Sequence, residues 1–412
     1  MKSTKKDDSF VKTIVFVGSN KFGTSYEALI TAKKMGYYTV LLTDKNNYDF
    51  FEVDKIIYLK DLLNIKTCIE VISKLQEDQY DICACLSLID PFVSHSAKPA
   101  QYFNINVMSI ESLHIMENKI RFRDKLQNLS SSPFYTTINK EIPLDGFINQ
   151  FEELLPLVVK PAATNGSKDV LYVGSIEELN NAIHLIQKKH PEYPVLVEEY
   201  LSGPQYLIEV LVYKNELNIV GVIAQEFSKN GLFIITDYQF PTKLNDIEIS
   251  TLMTSVQEII SALGFSNGSC HLEMRHVNGL WKLIEINPRI AGGAMNRVIE
   301  EGTGINLIKE VIKLHLGEAP SLIKTKNEHV YAKYLTIRSR GKLLKVTGKD
   351  EALKHDGVKY VFVKPLEGKI ITTPSTMGHR YACIIAASNT AVEAKSIALA
   401  AARKIRFYLE PF

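Results

Sequence analysis

Several things that would narrow a function at once are scarce in this sequence. Its five cysteines (Cys68, Cys83, Cys85, Cys270 and Cys383) form an odd, sparse set with no Cys-x-x-Cys pair. That argues against a disulfide framework or a structural zinc site and fits a reducing cytoplasm. No apolar run approaches the ~18 residues of a membrane span. Charge of one sign is missing too. The 48 Lys and Arg against 46 Asp and Glu leave a net +2, so no global field gathers nucleic acid or an anionic membrane. The opening residues MKSTKKDDSF mix both signs without an apolar segment, unlike a secretory signal. The ten His show no ligand spacing such as His-Glu-x-x-His, and no Ser sits in a Gly-x-Ser-x-Gly elbow. What remains is 412 residues, 46% hydrophobic and 23% charged. This is an ordinary globular composition, long enough for roughly two to four domains.

The first part alternates buried-type strands with helical patterns. TIVFVGS (13–19) is β-branched and apolar, SYEALITAKKMG is helical with Gly36 as its C-cap, and YTVLLTD (38–44) is a second strand. A helix near 61–76, a strand at 82–88, a helix after Asp90-Pro91 and a short strand around 105–108 follow. Such alternation predicts a parallel sheet covered on both faces. A long amphipathic stretch over 110–129 leads to the loop SSSP. Beyond it the strands FYTTI, LVVKPA, VLYVGS, VLVEEYL, YLIEVLVYK and NIVGVIAQEF crowd around one helix, 176–189, with a capping box at Ser175 and Glu178. Lys214-Asn215 marks a turn, 245–263 a helix and 269–287 a hairpin. The tail carries strands at YAKYLTIRS, YVFVKPL and YACIIAAS, then an Ala-rich helix opening at Thr390 with Glu393 in the box position.

The strongest local signal is HLEMRHVNGLWKLIEINPR (271–289). Glu285 and Asn287, two apart on a strand, share a face. Glu273 lies across the turn, and its face depends on register. A two-residue turn at Asn278-Gly279 sets Glu273 opposite Ile284, with the two acids on opposite faces. A three-residue loop with a bulge at Gly279 puts Glu273 on the face of Glu285 and Asn287. Two carboxylates and an amide oxygen suit Mg²⁺ bridging nucleotide phosphates. The Glu-x-Asn pair alone is more often a solvated face. Pro288-Arg289 and Ala291-Gly292-Gly293 directly after it tilt the balance, because a guanidinium beside a glycine turn can hold a phosphoryl group and a carboxylate.

Other motifs weigh less by themselves. Lys160 ends an apolar strand, which is costly without an anionic partner. The polar loop Thr164–Asp169 can fold over phosphates, though such loops are mostly hairpin turns. Lys119 is by default a solvated helix charge. Glu198-Glu199 before Gly203-Pro can accept from an adenine amino group, or simply end a surface strand. Gly18–Ser25 nearly matches a P-loop but has Thr24 where Lys is needed, so a glycine-eased strand-to-helix turn is the favoured reading. A substrate can still sit over its helix N-terminus. His271 and His276 flank Glu273 but point to opposite faces, and Cys83 and Cys85 read as core.

In this order, these pieces resemble the ATP-grasp superfamily of carboxylate–amine ligases, over nearly the whole chain. Within it the sequence looks most like the bacterial L-amino acid ligases that make dipeptides. The resemblance implies an α/β and α+β multidomain fold: a Rossmann-like domain (1–112), the two lobes of a split ATP-grasp domain (113–202 and 203–328) and a small α+β C-terminal domain (329–412). It implies ATP and Mg²⁺ or Mn²⁺ as cofactors and amino acids as substrates. It implies no nucleic-acid or membrane partner, a cytoplasmic enzyme and, by default, a homodimer. By motif, Lys119 and Lys160 resemble the nucleotide-phosphate lysines and Ser167 a phosphate donor in the closing loop. Glu198 and the backbone of Leu201 resemble the adenine hinge. Gln205 stands where relatives often carry a ribose-binding Glu, and Asp169 where a Gly is common. Glu273, Glu285 and Asn287 resemble the metal set. Arg289 and Lys160 resemble the catalytic cations, and Arg289, Gly292 and Gly293 the substrate-carboxylate site. Two alternatives stand beside dipeptide synthesis. One is another carboxyl-activating member of purine-pathway or carboxylase type, and the other is an ATP-binding protein that has lost turnover.

Overall fold

The computed structural model describes residues 10–45, 52–105, 108–140, 146, 148–164, 166–228, 233–364 and 366–411. The first unit is a parallel sheet of β1 (Val11–Val17), β2 (Tyr38–Thr43), β3 (Lys55–Tyr58) and β4 (Tyr80–Leu86) in the order β3-β2-β1-β4. Helices α1 (Thr24–Lys34) and α2 (Ile65–Glu77) connect the strands, and α3 (Phe92–Tyr102) follows β4. Strand interiors are apolar on both faces, as a covered parallel sheet requires. β3 escapes sequence reading because it is short and half-exposed. Of the strand expected at 105–108, residues 106–107 lie outside the described residues, and Ile105 and Met108 are not in a strand. Gly18 turns the chain after β1 at φ +71°, with Phe92 packed where a side chain would stand.

The stretch 110–129 is two helices rather than one, α4 (Ile110–Met116) and α5 (Lys119–Leu126). Asn118 sits between them in an extended conformation and accepts from the backbone N–H groups of Ile120 and Arg121, which restarts the helix. The small lobe is an antiparallel sheet of β5 (Tyr135–Ile138), β6 (Leu157–Pro161), β7 (Leu171–Val173) and β8 (Val195–Glu199), ordered β5-β8-β6-β7. Helix α6 (Ile176–Lys189) covers one face through Leu179, Ile183 and Ile186. Val159 and Val197 point toward α6, so Lys160 and Glu198 point away from it. Ser175 caps α6, but Glu178 accepts from Gly174, so the expected capping box is half formed.

An eight-stranded antiparallel sheet forms the centre. Its strands are β9 (Gln205–Tyr213), β10 (Glu216–Phe227), β11 (Ile235–Phe240), β12 (Gly268–Val277), β13 (Leu280–Asn287), β14 (His329–Leu335), β16 (Val358–Val363) and β18 (Ala382–Ser388). Their order is β13-β12-β9-β10-β11-β14-β18-β16. Because β11 pairs with β14, hydrogen bonding runs unbroken past residue 328. Three strands of the expected C-terminal unit therefore extend the large-lobe sheet. The rest of the tail is β15 (Gly341–Thr347), β17 (Ile370–Ile371) and β19 (Arg406–Glu410) in a second sheet, with α10 (Lys349–Leu353) and α11 (Ala391–Ala402). The last helix stops at Ala402 and the chain returns as β19, shorter than the sequence pattern suggests. Thr390 caps it, while Glu393 bonds Ser388 instead of completing a box.

Alternation along β9 defines two faces. Tyr206, Ile208 and Val210 enter a core with α4, α5 and α7 (Asp246–Ala262). Leu207 and Leu211 enter another with α1, α8 (Met295–Thr303) and α9 (Leu307–His315). The polar residues that the large sheet contributes to the site lie on this second face.

Candidate active site

Two adjoining cavities run between the small lobe and the large sheet. The first is lined by Lys119, Lys160, Ser167, Glu198, Leu201, Gln205, Glu273 and Glu285, among others. The second shares Ser167, Glu273 and Glu285 and adds Asn287, Arg289, Gly292 and Gly293. Every site residue expected from the sequence thus borders one continuous cleft, although the chain separates them by up to 174 positions (293 − 119).

The hairpin β12–β13 brings its acids together by a route the sequence did not show. Asn278 (φ +50°) and Gly279 (φ +80°) make a two-residue turn, and Val277 faces Leu280. That turn alone separates the acids. A register shift after Met274 then skips Ile284, so Glu273 sits opposite Glu285 and His271 opposite Asn287. The bulge belongs to the strand and not to the turn. Arg123, 1% exposed, holds it: Nη1 donates to Leu283 O and Nη2 to Ile284 O, both at 2.8 Å.

Electrostatics follow from this register. Burial and the facing Glu285 push Glu273 up to about 7. Burial also works against Glu285, but Lys119 and Lys160 outweigh it and hold its carboxyl below the ordinary value. Lys119 Nζ lies 3.6 Å from Glu285 and donates to Thr164 O at 2.7 Å. It is therefore a buried cleft cation and not the solvated helix charge expected by default. Gly166 of the same loop accepts from Met377 N, so loop and tail meet over the cleft. Asn165 lies outside the described residues. Asp169 turns outward to Lys189 and His190, both at 2.8 Å.

Glu198, expected at the adenine hinge, lines the first cavity with both carboxylate oxygens engaged by cations. Its Oε1 takes Arg123 Nε at 2.7 Å and its Oε2 takes Lys160 Nζ at 2.6 Å. Burial would raise this carboxyl, but the two cations hold it down to about 2. Leu201 O is taken by Arg275 Nη1. Gln205 is likewise engaged inside the sheet. Its oxygen accepts from Arg275 Nε at 3.1 Å, and its amide donates to Gln225 at 3.0 Å and Glu273 at 3.4 Å. Its partners are thus sheet residues on the face that carries Glu273.

At the other end Arg289 donates through Nε and Nη2 to the two carboxylate oxygens of Asp90, at the C-terminal end of the parallel sheet. His271, read as bland, belongs to the site. Its Nδ1 donates to Arg289 O at 2.8 Å, and its Nε2 lies 3.3 Å from Asn287 Nδ2. Burial and Arg289 hold the ring down to about 4. It is neutral, fixes which end of the Asn287 amide is nitrogen, and leaves the oxygen for a ligand. Glu209, pushed up to about 8 by burial, accepts from Ala291 N and pins the glycine turn. The Gly18–Ser25 loop docks on that turn, where Thr24 donates to Ala291 O at 3.1 Å, and so it stands away from the first cavity. Arg123 was within reach of the sequence in the Asn-Lys-x-x-x-Arg pattern. Asp90 had the weaker signal of a strand's carboxyl end, and His271 and Glu209 had none without the register.

Among the described residues no group of three or more His, Cys, Asp and Glu side chains forms a metal site. Two carboxylates and an amide oxygen fit a hard divalent cation only if phosphate oxygens complete the shell.

Residues 153–297 match the ATP-grasp domain, and residues 333–410 match the L-amino acid ligase C-terminal domain 2. An uncharacterised protein of Sinorhizobium fredii is 26% identical over 99% of this chain and 85% of its own length. Dapdiamide A synthase of Enterobacter agglomerans is 25% identical over 49% of this chain and 50% of its own. The L-amino acid ligase from Bacillus licheniformis superposes with a TM-score of 0.82 at 20% identity, covering 97% of this chain and 99% of that one. Phosphoribosylglycinamide synthetase from Anaerococcus prevotii gives 0.74 at 19% identity, over 97% and 100%. At such identities the superpositions show the fold. With the family matches they lead to one statement: the chain is an ATP-grasp ligase that carries an L-amino acid ligase C-terminal domain.

Proposed function

We propose that this chain uses ATP to activate the carboxylate of one amino acid and joins it to the amino group of a second, forming a dipeptide. The observation that carries this is the facing pair Glu273 and Glu285, with Lys119 beside it and Lys160 on the same cavity wall, adjoining Arg289 and the Gly292–Gly293 turn. A donor carboxylate oxygen attacks the γ-phosphorus, the bond to the β-phosphate oxygen breaks, and ADP leaves. The acceptor nitrogen then attacks the acyl carbon, the C–N bond forms, and the C–O bond to phosphate breaks. The amine proton departs with the phosphate.

The chain's own residues position and neutralise. Lys119 and Lys160 face the phosphates, and Ser167 offers its hydroxyl from the loop above. Arg289, held by Asp90, presents its remaining N–H groups to the transferring phosphoryl and the acyl phosphate. Glu273, Glu285 and Asn287 would hold Mg²⁺ or Mn²⁺, which supplies charge neutralisation at the phosphates. The loop from Thr164 to Asp169, tied to Met377, keeps water from the acyl phosphate. All five cysteines are free, and among the described residues no helix is long and apolar enough to cross a membrane. We place the enzyme in a reducing cytoplasm.

The test is a pairwise amino-acid screen read by phosphate release and product mass. Glu285→Ala should lower amino-acid-dependent ADP release by at least ~100-fold. Turnover near that of the unsubstituted chain would remove the metal face from the mechanism. Phosphate release with bicarbonate or a nucleotide substrate, but with no amino acid, would replace the dipeptide reading.

A further inference from the structure

Behind the glycine turn lies a third cavity that the proposed chemistry does not use. Its walls come from opposite ends of the chain: Phe22 on the N-terminal loop, and Tyr334, Tyr360 and Phe362 on the C-terminal strands. Phe22 and Phe362 pack at 5.0 Å between ring centroids, so one wall of the cavity is aromatic. Gly293, Met377 and Arg380 border both this cavity and the one holding Asn287 and Arg289, which makes them the passage between the two. Gly293 has φ +75°, and a side chain there would meet Tyr334 Oη at 2.8 Å. A larger residue there would have to displace the Tyr334 hydroxyl or narrow the passage.

The charges around this passage are unbalanced. Elsewhere in the cleft most buried cations have a carboxylate: Lys119 has Glu285, Lys160 and Arg123 share Glu198, and Arg289 has Asp90, while Arg275 is held by Gln205 and the Leu201 carbonyl. Arg380 forms no ion pair among the described residues, although Glu273 across the second cavity feels its charge. Its Nε donates to Met377 O at 3.1 Å, and its Nη1 donates to Ile235 O at 3.1 Å and Tyr238 Oη at 2.8 Å. The guanidinium lies on the Tyr334 ring at 4.1 Å, which fixes its plane. Nη2 is directed toward Gly293, 4.0 Å from where a side chain would begin. Lys364, on the same cavity, also lacks a carboxylate and donates to Gly378 O at 2.6 Å. Partial burial and Arg380 hold its ammonium below the ordinary value, as expected for two neighbouring cations.

We propose that this cavity binds the acceptor substrate as an amino acid with a free α-carboxylate and a bulky apolar or aromatic side chain. The carboxylate lies on Arg380, with Lys364 adding a second positive charge. The side chain lies among Phe22, Tyr360 and Phe362. The α-amino group emerges past Gly293 toward the acyl phosphate at Arg289. This assignment rests on the amino-acid ligase reading and deepens it, since the separate site leaves the Asn287–Arg289 cavity to the donor.

Hydroxylamine separates the two ideas, because it attacks the same acyl phosphate to give a hydroxamate and phosphate without occupying an acceptor site. With the unsubstituted chain, a donor amino acid, ATP and Mg²⁺ should yield hydroxamate, and an aromatic acceptor should yield dipeptide. In Arg380→Met the acceptor KM should rise about tenfold to hundredfold, the loss expected for a charge-assisted pair. Hydroxamate formation should fall far less. The acceptor's amide, which lacks the carboxylate, should be used equally poorly by both proteins. Phe362→Trp keeps Arg380 and fills the cavity, so it should shift acceptor preference toward glycine. Hydroxamate from the unsubstituted chain with an unchanged acceptor KM in Arg380→Met, or unchanged acceptor preference in Phe362→Trp, overturns the acceptor site alone. Equal collapse of hydroxamate and dipeptide formation in Arg380→Met assigns Arg380 to donor activation and also overturns it. Absence of hydroxamate with every amino acid overturns the ligase reading, and the acceptor site with it.

Discussion

Glu198 and Glu273 line the same cleft, yet their surroundings answer the loss of water differently. Glu198 lies between Arg123 and Lys160 and is held down to about 2. Glu273 faces Glu285 and is pushed up to about 7. The first wall is electrically complete within the protein. The second is short of positive charge, and under the proposed function this is the wall that a cation and its nucleotide would complete. Enclosure alone therefore does not identify a binding carboxylate. What matters is whether the protein has already supplied its partner.

The largest effect should come from breaking the complete wall. Glu198→Gln leaves Arg123 and Lys160 enclosed without an anion, and should lower stability by about 3–5 kcal/mol. Thermal unfolding of the unliganded protein measures it. A shift within error would mean that solvent reaches both cations. Because Arg123 also holds the carbonyls at the bulge, ADP release should fall with stability.

A smaller effect should appear at the incomplete wall as pH dependence. The folded-state value of Glu273 lies above its unfolded one, so its stabilising contribution is full in acid and is lost as pH rises through about 7. Cation binding needs the carboxylate and runs the other way. Well below pH 7, protection of the apo protein by Mn²⁺-ATP should strengthen about tenfold in apparent affinity per pH unit. Glu273→Gln should weaken binding and flatten this slope. An unchanged slope would assign the titration to another group.

The smallest effect should lie at the rim, where Asp169 pairs with Lys189 and His190. Asp169→Ala should cost about 1 kcal/mol or less in unfolding, because the Lys189 side chain is 48% exposed to screening water. A loss rivalling that of Glu198→Gln would erase the contrast between inner and outer ion pairs.

Much of this arrangement was legible in the chain because it is local. The parallel sheet follows from runs such as Thr13–Val17, apolar on both faces. The α7 boundary follows from Asn245 and Glu248, which form a complete capping box. Glu285 and Asn287 share a face because strand periodicity is two. Glu273 was different, since both registers satisfied the turn residues. What placed it was a bulge at Ile284 held by Arg123 from a helix 160 positions away. The protein partners of Glu198 and Gln205 were hidden for the same reason. Their partners, Arg123, Lys160, Arg275 and Gln225, approach from other strands or a helix. The split of 110–129 at Asn118 was a local signal that the amphipathic pattern masked.

The sequence by itself determined which side chains could do this chemistry and which neighbours share a face, because periodicity and capping act over a few residues. Only the tertiary structure decided which carboxylates are already neutralised and which still lack a counter-charge, because that balance is set across a cleft by groups far apart along the chain.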